Sequence, residues 1–130
     1  MKKMDTLANA LNVIKVSEHR GNPKAFVEPA SKITREVLMI LQKEGYIGEF
    51  EFVDDGKSGK FIVGLLGKVN NCGAVKPQYH AKTAEWEKYE QRYLPGRGIG
   101  IIVVSTSQGI MTHAQAKEKK IGGKLLAFAY

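Results

Sequence analysis

The sequence GIIVVSTSQGIMTHAQAK occupies residues 100–117 and combines the signals of a strand, a polar loop and a helix start. Gly100–Val104 is short, apolar and rich in β-branched residues, which favours a buried β-strand. The next five residues, STSQG, are polar and end in glycine, so a loop is predicted where the strand reaches the surface. Thr112 and Gln115 have the spacing of a capping box, which predicts a brief helix. A last strand is expected from Lys124 to Tyr130, so the second half should be mainly β.

Two amphipathic helices are predicted in the first half of the chain. The first runs from about Asp5 to Arg20, because apolar residues recur there at helical spacing and a glycine follows. A short extended segment, Ala25–Val27, separates it from the second helix. Ser31 has the residue type of an N-cap for that second helix. Its expected buried stripe consists of Ile33, Val37, Ile40 and Leu41.

A hairpin is expected after the second helix. Phe50 and Phe52 alternate with two glutamates, as in a half-buried strand, and Lys60–Leu66 returns as a second strand after the turn DDGKSG. The predicted fold class is therefore α+β. Residues 1–67 form an N-terminal α/β lobe in the order helix, strand, helix, strand, strand. Residues 68–130 form a C-terminal, mainly β lobe with short helices, and the boundary lies at the glycine- and asparagine-rich segment GKVNNCG.

The charge of the chain is concentrated in its second half. Residues 1–66 hold 10 basic and 9 acidic side chains, whereas residues 67–130 hold 10 basic and 4 acidic ones, a net charge of +6 for that half. Such a field attracts a polyanion, and nucleic acid is favoured over a membrane because no strongly amphipathic basic helix is present. A basic protein without a charged partner remains the alternative. The apolar runs are short and the N-terminus makes a poor signal peptide, so a soluble, cytoplasmic protein is expected.

Several motifs of small-molecule sites are incomplete in this sequence. Gly56-Lys57-Ser58 lacks the glycine that a phosphate-binding loop needs five residues earlier, where Glu51 stands. GRGIG at residues 96–100 has the wrong spacing for a dinucleotide fingerprint and leads into a strand. Cys72 has no nearby ligand pair of the kind a zinc site uses. We therefore expect no metal, no cofactor and no small-molecule substrate.

Two function classes other than RNA binding stay open at this point. A small serine-dependent hydrolase would use Ser105 or Ser107 as nucleophile and His113 as base. No G-x-S-x-G elbow surrounds either serine, and the nearest downstream carboxylate, Glu118, lies in a lysine-rich helix. A protein-interaction module whose basic half meets an acidic partner is the other alternative. The expectation is that the protein is not an enzyme.

The strongest candidate site is an RNA-binding surface in the second half. Short hydroxyl and amide side chains at a strand end can exchange hydrogen bonds with base edges, ribose hydroxyls and phosphates. The predicted loop consists of Ser105, Thr106, Ser107, Gln108 and Gly109. The cations expected to contact phosphates are Lys76, Lys82, Arg92, Arg97, Lys117, Lys119, Lys120 and Lys124. An ordinary polar loop beside a solvated basic face is the alternative. The aromatic residues Trp86, Tyr89 and Tyr93 are expected to cover the core rather than to stack on bases.

The stretch at residues 100–117 resembles the signature of the family of ribosomal protein eight of the small subunit. That signature is a glycine, an apolar run, a Ser-Thr pair, two free positions, a glycine, two apolar residues, and a small residue followed by a basic one. Its elements are filled by Gly100, Val103-Val104, Ser105-Thr106, Gly109, Ile110-Met111 and Ala116-Lys117. The resemblance extends over the whole chain, through MDTLANALNVI, EGYIGEF, GKVNNCGAVKP and GGKLLAFAY, and is greatest to the archaeal and eukaryotic cytosolic branch.

The resemblance implies a two-lobed protein that binds a short irregular helix in the central region of small-subunit rRNA. It implies early assembly into the subunit, contact with neighbouring ribosomal proteins, and a role of Ser105, Thr106 and Ser107 in reading RNA. Members of the family can also bind a similar hairpin in their own messenger RNA and repress translation. Bacterial relatives have a tyrosine near the position of Lys82 and a glutamate at that of Lys124, so contacts of those residues do not transfer.

Overall fold

The computed structural model describes residues 6–27, 30–54, 56, 59–75, 79–96 and 98–130. The chain divides into two compact units, Met1–Gly73 and Ala74–Tyr130. No helix within these described ranges is long and apolar enough to cross a membrane.

The first unit contains two helices and one antiparallel sheet. Its elements are α1 (Thr6–His19), β1 (Lys24–Val27), α2 (Lys32–Lys43), β2 (Ile47–Val53) and β3 (Lys60–Leu65). The strand order is β1-β3-β2, so the last strand of the hairpin is central. The predicted sequence of helix, strand, helix, strand, strand is confirmed. Asp5, the expected start of the first helix, lies outside the described residues.

Helix α2 begins where its cap was predicted. The Ser31 hydroxyl accepts from the Thr34 amide at 3.2 Å and donates to the Thr34 hydroxyl at 2.8 Å. Because this second bond satisfies the Thr34 side chain, a polar residue can occupy the buried face. The buried positions are Thr34, Val37, Leu38 and Leu41. The predicted stripe was wrong at Ile33 and Ile40, which are only half-buried.

Strand β2 departs from the predicted alternation near its end. Phe50 is half-buried, but Phe52 is 57% exposed. Strand β2 is an edge strand, and the Phe52 ring has an edge-on contact with Phe61 at 6.0 Å between centroids. The prediction that Phe52 is buried like Phe50 was therefore wrong.

The division between the units falls after residue 73, whereas the sequence pattern placed it after residue 67. The segment in between is bound to α1. The Glu18 carboxylate accepts from the amides of Gly67 at 3.2 Å and Val69 at 2.9 Å. The Cys72 thiol donates to the Leu11 carbonyl at 3.3 Å. These contacts explain why this glycine- and asparagine-rich segment belongs to the first unit.

The second unit is built on a five-stranded sheet. Strand β4 (Cys72–Ala74) spans the division, and the elements that follow it are β5 (His80–Ala81), α3 (Trp86–Tyr93), β6 (Ile101–Thr106), β7 (Gly109–Thr112), α4 (His113–Glu118) and β8 (Gly123–Ala129). The strand order is β4-β8-β6-β7, and β5 also pairs with β8. The prediction of a mainly β lobe with short helices is confirmed. Strand β7 was not predicted.

The core of the second unit lies between the sheet and its two helices. Ile102 and Val104 of β6 are fully buried, together with Leu125 of β8 and Trp86 of α3. The Trp86 indole also donates to the Ile121 carbonyl at 3.3 Å. The expectation that the α3 aromatics cover the core is confirmed for Trp86 and Tyr89, and Tyr93 packs against the same cluster while partly exposed. On the opposite face of the sheet, Val103 and Ala127 are also buried, whereas Lys124, near the end of the sheet, is exposed.

Candidate nucleic-acid interface

The predicted polar loop is a tight hairpin. Ser105 pairs with Ile110 and Thr106 pairs with Gly109, so only residues 107 and 108 form the turn. Gly109 has a φ of +114°, a conformation that L side chains rarely adopt. The prediction of a loop from Ser105 to Gly109 was wrong at three positions, because backbone pairing continues the strands to the turn itself.

The hydroxyl groups at this hairpin have different roles. The Thr106 hydroxyl donates to the Gly109 carbonyl at 2.8 Å and accepts from the Gln108 amide at 3.1 Å. It therefore holds the turn closed. Ser107 is exposed and Ser105 is half-buried. Neither serine hydroxyl has a hydrogen-bond partner in the described part of the chain, so both can bind a ligand.

A pair of glycines brings three strands together at this end of the sheet. A Cβ atom at Gly123 would lie 2.8 Å from the Ser105 carbonyl oxygen and 2.9 Å from the Thr106 methyl group. A Cβ atom at Gly122 would lie 2.5 Å from the Ala81 carbonyl oxygen. Because both separations are too short for real side chains, the close approach of β5 and β6 to β8 requires glycine.

Lys124 of β8 lies opposite Ser105 of β6 and also opposite His80 of β5. Directly paired residues of antiparallel strands project from the same face of the sheet. The neighbouring pair, Val104 and Leu125, points into the core. Lys124 and Ser105 therefore share the face opposite that core, and the Lys124 side chain is exposed.

Further lysines lie near the row of paired residues formed by His80, Lys124 and Ser105. The Thr83 hydroxyl donates to the Lys120 carbonyl at 3.5 Å, which places the segment after α4 beside the segment after β5. The Lys119 ammonium donates to the Gln108 side chain at 3.3 Å and so reaches the hairpin turn. We call the resulting set the strand-end surface; it consists of Ser105, Ser107, Gln108, Lys82, Lys119, Lys120 and Lys124. In the described structure, no hydrogen bond or ion pair engages the ammonium groups of Lys82, Lys120 or Lys124.

Other predicted cations have partners within the protein. Lys117 donates to the Glu90 carboxylate, which is 14% exposed. The Arg92 guanidinium donates to the Tyr79 hydroxyl at 3.2 Å and lies 4.9 Å from the centre of that ring. It also lies 5.7 Å from the centre of the Tyr93 ring. Lys76 and Arg97 lie outside the described residues.

His113 is a buried part of the scaffold. Its Nδ1 accepts from the Ile102 amide at 3.1 Å, and its Nε2 lies 3.1 Å from the Glu90 carboxylate. Burial lowers the pKa of His113 even though the nearby Glu90 carboxylate acts to raise it. The imidazole is thus neutral and carries its proton on Nε2. Since neither ring nitrogen bonds Ser105 or Ser107, the serine–histidine arrangement of the hydrolase alternative is not assembled.

The remaining candidate ligands are also accounted for structurally. No group of three or more His, Cys, Asp and Glu side chains that could hold a metal ion occurs among the residues the structure describes. Cys72 is buried, and burial raises the pKa of its thiol to about 12.

A comparison with known proteins identifies the family of the chain. The sequence model of the family Ribosomal protein S8 matches residues 5–130. The chain belongs to the ribosomal protein S8 family. S8 proteins are structural, rRNA-binding proteins of the small ribosomal subunit and are not a family of enzymes. The resemblance to this family seen in the sequence is confirmed.

Two residues of this S8 chain were missed by the sequence reasoning. Glu90 of α3 binds both His113 and Lys117, and His80 of β5 joins the row of Lys124 and Ser105. Strand β5 has only two residues, so no periodic signal marks it, and its partner strand lies more than 40 residues away. Only the tertiary structure brings these groups together.

Proposed function

We propose that the strand-end surface binds a short irregular helix in the central region of small-subunit rRNA. The observation that carries the proposal is the pairing of Ser105 with Lys124 across the sheet. It places a hydroxyl group without a described protein partner next to an exposed ammonium group. A hydroxyl can donate to and accept from base edges and ribose hydroxyls, while an ammonium binds phosphate.

The residues at the hairpin have different roles in the proposed site. Ser105 and Ser107, whose hydroxyls have no hydrogen-bond partner among the described residues, are proposed to contact bases or ribose. Thr106 and Gly109 shape the turn that presents them, since the Thr106 hydroxyl is bonded to the Gly109 carbonyl. Gln108 is bonded to Lys119, so the two reach RNA as a unit.

Three lysines are proposed to provide most of the phosphate contacts. Lys82, Lys120 and Lys124 are exposed. Lys124 is paired with Ser105, Lys82 directly follows β5, and the Lys120 carbonyl binds Thr83 close to that strand. Lys117 and Arg92 already bind Glu90 and Tyr79, so their contribution to RNA affinity should be smaller. Lys76 and Arg97 remain proposed contacts on the strength of their charge. Each phosphate neutralised by a lysine makes RNA affinity more dependent on salt.

The finer biological role rests on the family resemblance. We propose that the protein is cytoplasmic, joins the small subunit early in assembly and helps neighbouring ribosomal proteins to bind. Its own messenger RNA is a second proposed RNA partner, through a hairpin similar to the rRNA site. No catalytic activity and no small-molecule substrate are part of the proposal.

Filter binding to a transcript of small-subunit rRNA tests this function, with nuclease footprinting of the complex. We expect tight, salt-sensitive binding and protection of one irregular helix in the central region. Sedimentation with the small subunit in cell extracts is the companion measurement. Association with an acidic protein but not with RNA would instead favour the interaction-module alternative.

A further inference from the structure

His80 extends the row formed by Lys124 and Ser105. It lies directly opposite Lys124 in the pairing of β5 with β8, and Lys124 lies directly opposite Ser105 in the pairing of β8 with β6. Paired side chains have Cβ atoms roughly 5 Å apart. Two strand spacings of about 4.8 Å separate His80 from Ser105. An imidazole, an ammonium and a hydroxyl therefore stand side by side over roughly 10 Å.

The row projects away from the core of the second unit. The residue after His80 is Ala81, which is completely buried in that core, and Val104 precedes Ser105 in the same way. Successive residues of a strand point to opposite faces, so the row occupies the other face of the sheet. His80 and Lys124 are exposed. The exposed groups are thus fixed by short, paired strands rather than carried on a free loop.

The His80 ring has no structural task that the described residues show. No hydrogen bond, ion pair or ring contact engages it within the described ranges. The other two histidines differ: His19 lies 3.0 Å from the Asn70 carbonyl, and both nitrogens of His113 are bonded. An imidazole held at the end of a cationic row can stack on a base and can also donate or accept one hydrogen bond.

We infer that His80 is a further RNA-contacting residue, which binds the nucleotide next to the one held by Ser105 and Lys124. This inference rests on the proposed function of the strand-end surface. The sequence pattern predicted a site made only of hydroxyls, amides and cations. His80 adds an aromatic contact to that site. The edge strand β5 thereby becomes part of the RNA-binding surface.

The test is filter binding of His80→Ala, His80→Phe and wild-type protein to a small-subunit rRNA transcript. Loss of one stacking contact should weaken binding of His80→Ala at least about fivefold. If the ring stacks, His80→Phe should retain most of the affinity; if it hydrogen-bonds, His80→Phe should resemble His80→Ala. Either pattern supports the contact. His19→Ala is the matched control and should bind RNA like the wild type.

A double-mutant cycle with Lys124→Ala separates this contact from a general effect of charge. His80 and Lys124 are directly paired, so groups this close that bind adjacent nucleotides should show non-additive losses, whereas distant, independent ones add. Thermal unfolding checks that His80→Ala folds normally, and His80→Gln provides a second, polar replacement. If Ser105→Ala weakens binding but His80→Ala and His80→Gln do not, the inference about His80 fails and the proposed function stands. If the wild-type protein does not bind the transcript, the proposed function fails with it.

Discussion

Although Ser105 and Thr106 are adjacent, replacing Ser105 should mainly weaken RNA binding, whereas replacing Thr106 should mainly lower the stability of the hairpin. The Ser105 hydroxyl has no hydrogen-bond partner among the described residues, so Ser105→Ala should change the free energy of unfolding by less than about 0.5 kcal/mol. Loss of a good base-edge contact weakens binding by ~1–3 kcal/mol, or roughly 5- to 150-fold. Ser107→Ala should behave similarly because its side chain is exposed at the turn.

Thr106→Val should show the reverse pattern. It removes the 2.8 Å bond to the Gly109 carbonyl and the 3.1 Å bond from the Gln108 amide. Intramolecular hydrogen bonds contribute roughly 0.5–1.5 kcal/mol each, and the half-buried position favours the lower part of that range. The free energy of unfolding should therefore fall by ~1–2 kcal/mol. RNA affinity should decline only as far as the turn loosens.

The two assays are urea unfolding and filter binding to the rRNA transcript, performed on all three variants. The salt dependence of binding should be unchanged, since no phosphate contact is removed. Wild-type affinity of both Ser105→Ala and Ser107→Ala would refute the assignment of the serines. A large loss of affinity in Thr106→Val without loss of stability would show that the threonine itself reads RNA.

Three further predictions concern the lysines, the glycine pair and the buried histidine. Lys124→Ala should lower the salt slope of RNA binding by about one unit at most. Lys117→Ala should leave the slope nearly unchanged, because Glu90 already binds that ammonium. Equal slopes for both variants would contradict the proposal that Lys124 contacts phosphate and Lys117 does not. Gly123→Ala should lower the free energy of unfolding by ~1–3 kcal/mol, because its Cβ would meet the Ser105 carbonyl at 2.8 Å. Urea unfolding measures this change, and wild-type stability would count against the close approach of β6 to β8. The pKa of His113 is lowered below 6.5 in the folded protein, so the unfolded chain takes up the proton first and the free energy of unfolding should fall as pH drops below about 6.5. Urea unfolding from about pH 8 to about pH 5 tests the sign, and His113→Gln should remove this part of the slope.

Local sequence signals were sufficient where the structure depends on neighbours along the chain. Ser31 caps α2 through the amide of Thr34, three residues on, and Thr112 and Gln115 form the predicted capping box at α4. Both structures are closed by bonds within one helical turn. The run of apolar residues also predicted β6, which is fully buried at Ile102 to Val104.

The sequence signals failed where distant strands decide the outcome. Strand β7 has only four residues and lacks the Asn-Gly type of turn that marks a hairpin, so its existence depends on pairing with β6. The role of Lys117 could not be predicted either, because its partner Glu90 lies 27 residues earlier in a different helix. Charge and residue type identified a pool of candidates. Tertiary contacts determined which of the candidates in the described part of the chain have a partner within the protein.

In the strand-end surface, the side chains proposed to discriminate between RNA sites and those proposed to supply RNA affinity differ in the conformational entropy that they lose on binding. Ser105 stands at the end of a strand whose three preceding residues are completely buried, so its backbone is held rigidly. A serine loses little conformational freedom when it binds, and a hydroxyl on a fixed backbone can reject a base edge that does not match it. Lysines lose up to ~2 kcal/mol of side-chain entropy when fixed, but a phosphate accepts an ammonium from many directions, so they need not be fixed completely. The rigid strand end is therefore suited to selecting the RNA site, and the flexible cations around it are suited to holding whatever RNA has been selected.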